Sequence, residues 1–264
     1  MRRHRLRDHS INRLIPNMLT LTALCAGLTS VKFALTQKWE LAVIAILVAA
    51  LFDALDGRIA RLLDSTSKFG AELDSLSDFI SFGVAPALIL YLWSLQDLGR
   101  IGWAISLLFS ACMALRLARF NTKLDNADLP AWTSRFFTGV PAPAGAALAL
   151  MPLVSSLGFH SNVFFSHPVV VGLVMIGVAG LMVSRIPTFS FKRVKVTQSM
   201  VLPAMLVATC LIAFLVSDPW DTILVLELSY LGSIPFSYRQ YQRLQRQRSA
   251  PPTVTTDPLD ADHL

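Results

Sequence analysis

The sequence is poor in charged residues and in cysteine. Only 15% of its 264 residues are Asp, Glu, Lys or Arg, 54% are hydrophobic, and the mean hydropathy is +0.55. A soluble globular domain carries about 25% charged residues, so this composition excludes a soluble domain and indicates an integral membrane protein. The cysteines lie far apart in apolar segments, at Cys25, Cys112 and Cys210. That spacing favours free thiols that are buried as small hydrophobic side chains over disulfides or a zinc site.

Long apolar runs between short charged clusters predict eight membrane-spanning helices. A helix needs about 20 apolar residues to cross about 30 Å of hydrocarbon. We therefore expect an all-α fold, a polytopic membrane helical bundle. The sixth run is short, and without it seven spans would remain. The predicted spans are 16–36, 41–63, 73–95, 101–120, 140–157, 169–183, 200–216 and 222–238.

Positively charged residues are distributed unequally between the two sides of the predicted bundle. Of the 23 Lys and Arg residues, only Lys32, Lys38 and Arg100 fall on one side, and the remaining 20 fall on the other. Cytoplasmic loops are enriched in Lys and Arg, so we expect both termini in the cytoplasm. The net charge of +6 then reflects topology and attraction to anionic lipid, and no nucleic-acid partner is expected.

The sequence divides into three predicted regions. Residues 1–14 form a basic cytoplasmic segment, 15–240 a transmembrane domain, and 241–264 a disordered cytoplasmic tail. The first apolar run has full span length and no small-residue cleavage site precedes a soluble domain, so we do not expect a cleavable signal. The tail contains Pro251, Pro252 and several aspartates, which is typical of disorder.

Four aspartates and four other residues form a fixed pattern across the second and third predicted helices. Ionisable residues in membrane helices are costly, so they are a functional hypothesis by default. Residues three or four apart share a helix face, and two antiparallel helices joined by a short loop would bring the carboxylates together. The pattern is D-x2-D-G-x2-A-R-x8-G-x3-D-x3-D, at Asp53, Asp56, Gly57, Ala60, Arg61, Gly70, Asp74 and Asp78.

This pattern, called the acidic array below, predicts a metal site rather than a set of buried ion pairs. Neighbouring like charges disfavour one another's ionisation, and hard divalent ions such as Mg²⁺ or Mn²⁺ prefer oxygen ligands. Two such ions can clamp a diphosphate, and Arg61 offers a planar fork for phosphate. Asp78, at the far end of the array, is the candidate general base for an acceptor hydroxyl. We predict an activated lipid substrate, with its diphosphate in water and its acyl chains in the bilayer.

The acidic array matches, without departure, the signature of the CDP-alcohol phosphatidyltransferases, which the chain resembles over about residues 10–240. Members of that family transfer a phosphatidyl group from a CDP-lipid to an alcohol and release CMP, with a divalent metal. Longer stretches resemble the bacterial membrane-bound phosphatidylserine synthases within it. These are IPNMLT (15–20), DSLSDFISFGVAP (74–86), RLARFN (116–121) and FTGVPAPA (137–144).

The resemblance implies a fold, substrates and residue roles. The fold would be the six-helix family core plus two helices, as a homodimer in the bacterial inner membrane. The substrates would be CDP-diacylglycerol and L-serine. The four aspartates of the array would hold two Mg²⁺ or Mn²⁺ ions, and Asp78 would also be the base. The CDP site would be lined by Asp56, Gly57, Ala60 and Arg61.

Four polar residues outside the array are weaker candidates for substrate binding, and two other functions stay open. Arg116 and Arg119 would either anchor lipid headgroups or recognise the serine carboxylate or a lipid phosphate. Asn121 and Asn17 would add polar contacts or cap helix ends. The acceptor could instead be glycerol-3-phosphate, inositol phosphate or choline. A cation transporter would also place acids in helices, although here they cluster at one membrane face.

Overall fold

The computed structural model describes residues 3–124, 136–159, 163–184, 186–189 and 200–249. Within these ranges the chain is almost entirely helical, and each of the eight predicted spans overlaps a helix. The prediction of a polytopic helical membrane protein is confirmed. The helices are α1 (Arg3–Leu35), α2 (Trp39–Leu62), α3 (Lys68–Asp78), α4 (Ala85–Trp93), α5 (Arg100–Leu124), α6 (Ala142–Gly158), α7 (Val163–Ser166), α8 (Pro168–Val183), α9 (Val201–Ser217) and α10 (Pro219–Ser249).

Several of these helices have the properties of membrane spans. By length and composition, three described stretches can cross a membrane: Leu14–Leu35, Lys68–Trp93 and Arg100–Thr122. The helices α6, α8 and α9 are also apolar but shorter. The helix α2 has sufficient length but carries the charges of the acidic array near its C-terminal end. The sixth predicted span is present as α8, whereas the number of membrane crossings, eight, stays a prediction.

The third predicted span is one long helix that contains a π-helical turn, Phe79–Val84, between α3 and α4. The sequence gives a local reason, because Pro86 has no N–H and its ring opposes the carbonyl four residues earlier. The wider turn is closed by a hydrogen bond from the Ala85 N–H to the Ile80 carbonyl. Turns of this kind are frequent at functional sites, and this one begins directly after Asp78.

Small residues let the neighbouring helices approach the π-helical turn. A Cβ placed on Gly27 of α1 would lie 2.8 Å from the Cα of Ser81, and one on Gly83 would lie 2.9 Å from the Cγ of Met113 on α5. The Ser81 hydroxyl donates to the Ala23 carbonyl at 3.4 Å. Helices in membranes associate through such close contacts and interhelical hydrogen bonds. The turn is therefore held between α1 and α5.

A short antiparallel ribbon joins β1 (Phe136–Thr138) to β2 (Pro187–Phe189), and the sequence analysis did not predict it. It links the start of α6 to the end of α8. Gly139 follows β1 with φ 79°, and its N–H donates to the Ile186 carbonyl at 2.8 Å. A side chain there would be strained in this left-handed conformation, and its Cβ would lie 2.6 Å from the Met182 carbonyl oxygen. Within the described ranges, this ribbon is the departure from an all-α fold.

The two ends of the predicted transmembrane domain fall inside helices. The helix α1 begins at Arg3, and α10 continues to Ser249, so the predicted boundaries at 14 and 240 do not coincide with helix ends. The part of the predicted tail at 250–264 lies outside the described residues. The helix α9 packs mainly on α10, and its residues are exposed, as expected for a helix that faces lipid.

The three cysteines are free thiols, as the sequence predicts. Cys112 is half-buried in α5, whereas Cys25 and Cys210 are exposed on the surfaces of α1 and α9. The prediction of burial is therefore wrong for Cys25 and Cys210, which face the surroundings of the bundle rather than its interior.

Candidate metal centre and substrate site

Three aspartates from two helices converge into a cluster. Asp53 and Asp56 from α2 and Asp74 from α3 each place one carboxylate oxygen within 4.8 Å of the others. Asp56 is buried and the other two are half-buried. A short loop, 63–67, joins the two helices. The start of α3 is capped by the Ser67 hydroxyl, which accepts from the Gly70 N–H at 3.0 Å. The helix α1 packs against both α2 and α3 and so holds the two halves of the array together.

Asp78 adjoins this cluster without belonging to its tightest part. Its carboxyl group lies within hydrogen-bonding reach of Asp53 and interacts electrostatically with Asp74. It is the last residue of α3, one turn beyond Asp74. The four predicted aspartates are therefore brought together, three as a compact cluster and the fourth beside it.

The cluster can bind a divalent metal ion. Carboxylate oxygens are the ligands that Mg²⁺ and Mn²⁺ prefer. Neighbouring acidic groups in a partly buried site repel one another when ionised, and a bound cation would offset that repulsion. In the part of the chain that the structure describes, no other group of three or more His, Cys, Asp or Glu side chains meets in this way.

Thr20 of α1 belongs to the site, although the sequence analysis gave it no role. Its hydroxyl donates to Asp56 Oδ2 and lies 3.1 Å from the Pro16 carbonyl oxygen. The side chain is buried, with 4% of its surface exposed. The Ser77 hydroxyl of α3 donates to the Thr20 carbonyl at 3.1 Å. The signal that could have identified Thr20 is its position in IPNMLT, where an apolar helix carries a polar side chain.

The predicted residues Gly57, Ala60 and Arg61 form one surface beside Asp56. The Arg61 side chain folds back so that its Nη1 lies 3.6 Å from a Cβ placed on Gly57. Arg61 also interacts electrostatically with Asp56. The guanidinium is exposed, whereas Gly57 and Ala60 are half-buried. The surface thus offers a carboxylate, a stretch of backbone covered only by small residues, and a cation.

The two predicted asparagines lie against α3. The Asn17 Oδ1 is 3.1 Å from a Cβ placed on Gly70, so the glycine leaves room for this side chain. The Asn121 Nδ2 donates to the Ser75 hydroxyl at 2.9 Å, next to Asp74. Both side chains help to position α3, and their predicted contacts with a substrate stay predictions.

The two predicted arginines of α5 have different surroundings. Arg116 donates from Nε to the Val140 carbonyl at 2.6 Å and interacts electrostatically with Asp78. Arg119 donates from Nη1 to the Val183 carbonyl at 2.7 Å. Val183 ends α8, where carbonyls lack helical partners and a cation is favourable. Arg119 therefore stabilises the C-terminal end of α8, whereas Arg116 lies beside the acidic array.

Comparisons with known proteins agree with this arrangement. Residues 13–183 match the family model of the CDP-alcohol phosphatidyltransferases, and residues 199–235 match a second model, CDP-alcohol phosphatidyltransferase 2. The chain is similar to three curated proteins that are each named CDP-diacylglycerol--serine O-phosphatidyltransferase. The protein of Mycobacterium leprae (strain TN) is 37% identical over 251 residues, which cover 95% of this chain and 82% of the relative. The protein of Mycobacterium tuberculosis (strain ATCC 25618 / H37Rv) is 38% identical over 237 residues, covering 88% and 80%. The protein of Helicobacter pylori (strain ATCC 700392 / 26695) is 38% identical over 188 residues, covering 69% and 74%.

Proposed function

The chain belongs to the CDP-alcohol phosphatidyltransferase family, and we propose that it transfers the phosphatidyl group of CDP-diacylglycerol to the hydroxyl of L-serine. The products are phosphatidylserine and CMP. The observation that carries this proposal is the convergence of Asp53, Asp56 and Asp74, with Asp78 beside them, in a membrane protein. The names of the relatives from Mycobacterium and Helicobacter support serine as the acceptor.

A membrane-embedded fold with a polar site near helix ends suits this donor. CDP-diacylglycerol has acyl chains that stay in the bilayer and a nucleotide that stays in water. We propose that the domain at 15–240 lies in the bacterial inner membrane, with both termini and the acidic array at the cytoplasmic face. The distribution of Lys and Arg supports that orientation. We also propose a homodimer, which rests on the family resemblance alone.

The proposed cofactor is a pair of Mg²⁺ or Mn²⁺ ions held by the four aspartates. Bound there, the ions would supply charge stabilisation for the diphosphate and for the attacking and leaving oxygens. The chain's own contribution is to hold the carboxylates in place. Thr20 fixes Asp56 through its hydroxyl, and the helical backbone of α3 fixes Asp74 relative to Asp78.

The nucleotide half of the donor would lie along the C-terminal part of α2. Asp56, Gly57, Ala60 and Arg61 form the surface there. The two small residues allow a ligand to approach the helix backbone closely. Arg61 supplies a planar set of donors that suits phosphate oxygens.

Asp78 would act as general base in the transfer step. The serine hydroxyl oxygen forms a bond to the phosphorus of the phosphatidyl group, and the bond between that phosphorus and the oxygen of CMP breaks. The hydroxyl proton passes to the Asp78 carboxylate and then to water, while CMP leaves with the electron pair. A positioned base of this kind contributes about 10²–10⁴ in rate. Asp78 is suited to this role because it lies beside the cluster rather than at its centre.

The proposal is tested by CMP release from CDP-diacylglycerol in detergent across a panel of acceptors. With Mg²⁺ or Mn²⁺ present, we expect release with L-serine and not with glycerol-3-phosphate, inositol phosphate or choline. Equal or better turnover with another alcohol would refute serine as acceptor and leave the family chemistry intact. A lack of metal-dependent CMP release with every acceptor would refute the transferase and favour the cation transporter.

A further inference from the structure

Arg116 carries a buried donor with no partner at the edge of the acidic array. Its Nε is fixed by the bond to the Val140 carbonyl, which sets the orientation of the whole planar guanidinium. Its Nη1 is buried and has no hydrogen-bond partner among the described residues. Leaving a charged donor buried and unpaired costs more than an ordinary hydrogen bond contributes. This atom therefore points to an anionic group that the described residues do not supply.

The two arginines of the site interact with different aspartates of the acidic array. Arg61 interacts with Asp56 and covers Gly57, on the side proposed for the nucleotide. Among the carboxylates, Arg116 interacts most strongly with Asp78, the proposed base for the acceptor hydroxyl, and less strongly with Asp53. A donor phosphate beside Asp56 already has a cation within reach. The anion that suits Arg116 is therefore one carried by the acceptor.

Tyr230 of α10 is a second neighbour of Arg116. The packed face of α10 includes Ile223, Ile234 and Ser237, all buried, and Tyr230 shares their helical spacing. Its hydroxyl is buried, and the side chain interacts electrostatically with Arg116. The helix α10 packs on α6 and β2, next to the Val140 carbonyl that orients Arg116. Tyr230 is thus a neighbour of Arg116 contributed by the last helix.

We infer, on the premise of the proposed function, that Arg116 binds the carboxylate of an amino-acid acceptor and that Tyr230 closes this subsite. An arginine fork matches a carboxylate in shape and charge. In serine the hydroxyl and the carboxylate are joined by a short carbon chain, so a carboxylate held at Arg116 keeps the hydroxyl near Asp78. An acceptor without a carboxylate leaves the buried Nη1 donor of Arg116 without a hydrogen-bond partner and is rejected for that reason. Arg116 is accordingly the residue that selects serine over ethanolamine.

The test compares L-serine with ethanolamine and L-serine methyl ester at saturating CDP-diacylglycerol and metal. For Arg116→Gln we expect the preference for serine over ethanolamine, measured as kcat/KM, to fall about 10- to 150-fold, as for loss of a hydrogen bond to a charged group. The KM for CDP-diacylglycerol, measured in a separate titration at saturating L-serine, should stay at the parent value. Tyr230→Phe should reduce the preference in the same direction and by less. Arg100→Gln is the matched control, since Arg100 is exposed in the first turn of the same helix, α5; it should leave the preference unchanged.

Two results would overturn the inference. One is an unchanged serine preference in folded Arg116→Gln protein. The other is a rise in the KM for CDP-diacylglycerol with the serine preference intact, which would assign Arg116 to the donor diphosphate. If Arg116→Gln does not fold, Arg116→Lys replaces it. This variant keeps the charge but lacks the planar fork, and its preference for serine should fall about 3- to 10-fold. An unchanged preference in Arg116→Lys would contradict the subsite. A parent protein that uses none of these acceptors would refute the proposed function instead.

Discussion

Removing the Thr20 hydroxyl should weaken metal binding, although Thr20 is not one of the predicted metal ligands. The hydroxyl donates to Asp56 Oδ2 from a buried position, and a hydrogen bond to a charged group contributes about 1.5–3 kcal/mol. Expressed as a change in metal affinity, this free energy corresponds to a loss of about 10- to 150-fold. Removing a hydrogen-bond partner of a metal ligand typically costs about 10–100-fold in affinity. Thr20→Val keeps the shape of the side chain and removes only the donor.

The assay is a Mg²⁺ titration of CMP release at saturating CDP-diacylglycerol and serine. Thr20→Val should need a correspondingly higher Mg²⁺ concentration for half-maximal rate, and Thr20→Ser should restore most of the affinity. Thr22→Val is the matched control, because Thr22 is exposed on the same helix and its hydroxyl donates to the Met18 carbonyl of that helix, at 2.8 Å. If Thr20→Val and Thr22→Val share the parent's Mg²⁺ dependence, Thr20 does not position Asp56 and the reasoning is wrong.

Three further predictions follow from the same geometry. Asp78→Asn should still bind CDP-diacylglycerol and metal yet lose about 10²–10⁴ in single-turnover rate. Asp56→Asn should instead weaken the binding of CDP-diacylglycerol and metal. Equal losses of affinity in the two variants would make Asp78 mainly a metal ligand rather than the base. Gly27→Ala should lower the free energy of unfolding in detergent by about 1–3 kcal/mol through overpacking, because its Cβ would lie 2.8 Å from the Ser81 backbone. Gly232→Ala, where a Cβ meets open space, should not lower it. Equal effects of the two substitutions would contradict the close packing of α1 on the π-helical turn. In a background without the natural cysteines, Gln37→Cys should be labelled from outside the cell and Thr66→Cys only from inside, and the reverse pattern would place the site on the wrong face.

The helices and the gathering of the aspartates were predictable because both follow from local periodicity. Apolar runs of span length predict α5 and the apolar part of α1. The spacing of Asp53 and Asp56, and of Asp74 and Asp78, places each pair on one helix face. The short loop between α2 and α3 leaves few ways to arrange the two pairs other than close together.

The supporting contacts were not predictable because they join distant parts of the chain. The bond from Thr20 to Asp56 spans 36 residues, and the bond from Arg116 to Val140 spans 24. Such contacts depend on how α1 and the ribbon pack, which no local pattern specifies. Pro86 signals an irregular helix, but periodicity alone does not distinguish a kink from a π-helical turn. The strands β1 and β2, at three residues each, are too short to show a strand period.

The most direct test of the central claim is the paired formation of CMP and phosphatidylserine from CDP-diacylglycerol and L-serine by the purified protein. The account predicts that both products form in equal amounts with Mg²⁺ or Mn²⁺, that a chelator stops the reaction, and that Asp74→Asn protein, folded and in the same detergent, forms almost none. Substantial product from the Asp74→Asn variant at saturating metal, or product formation by the parent that a chelator does not affect, would contradict the assignment of the aspartate cluster as the catalytic metal centre.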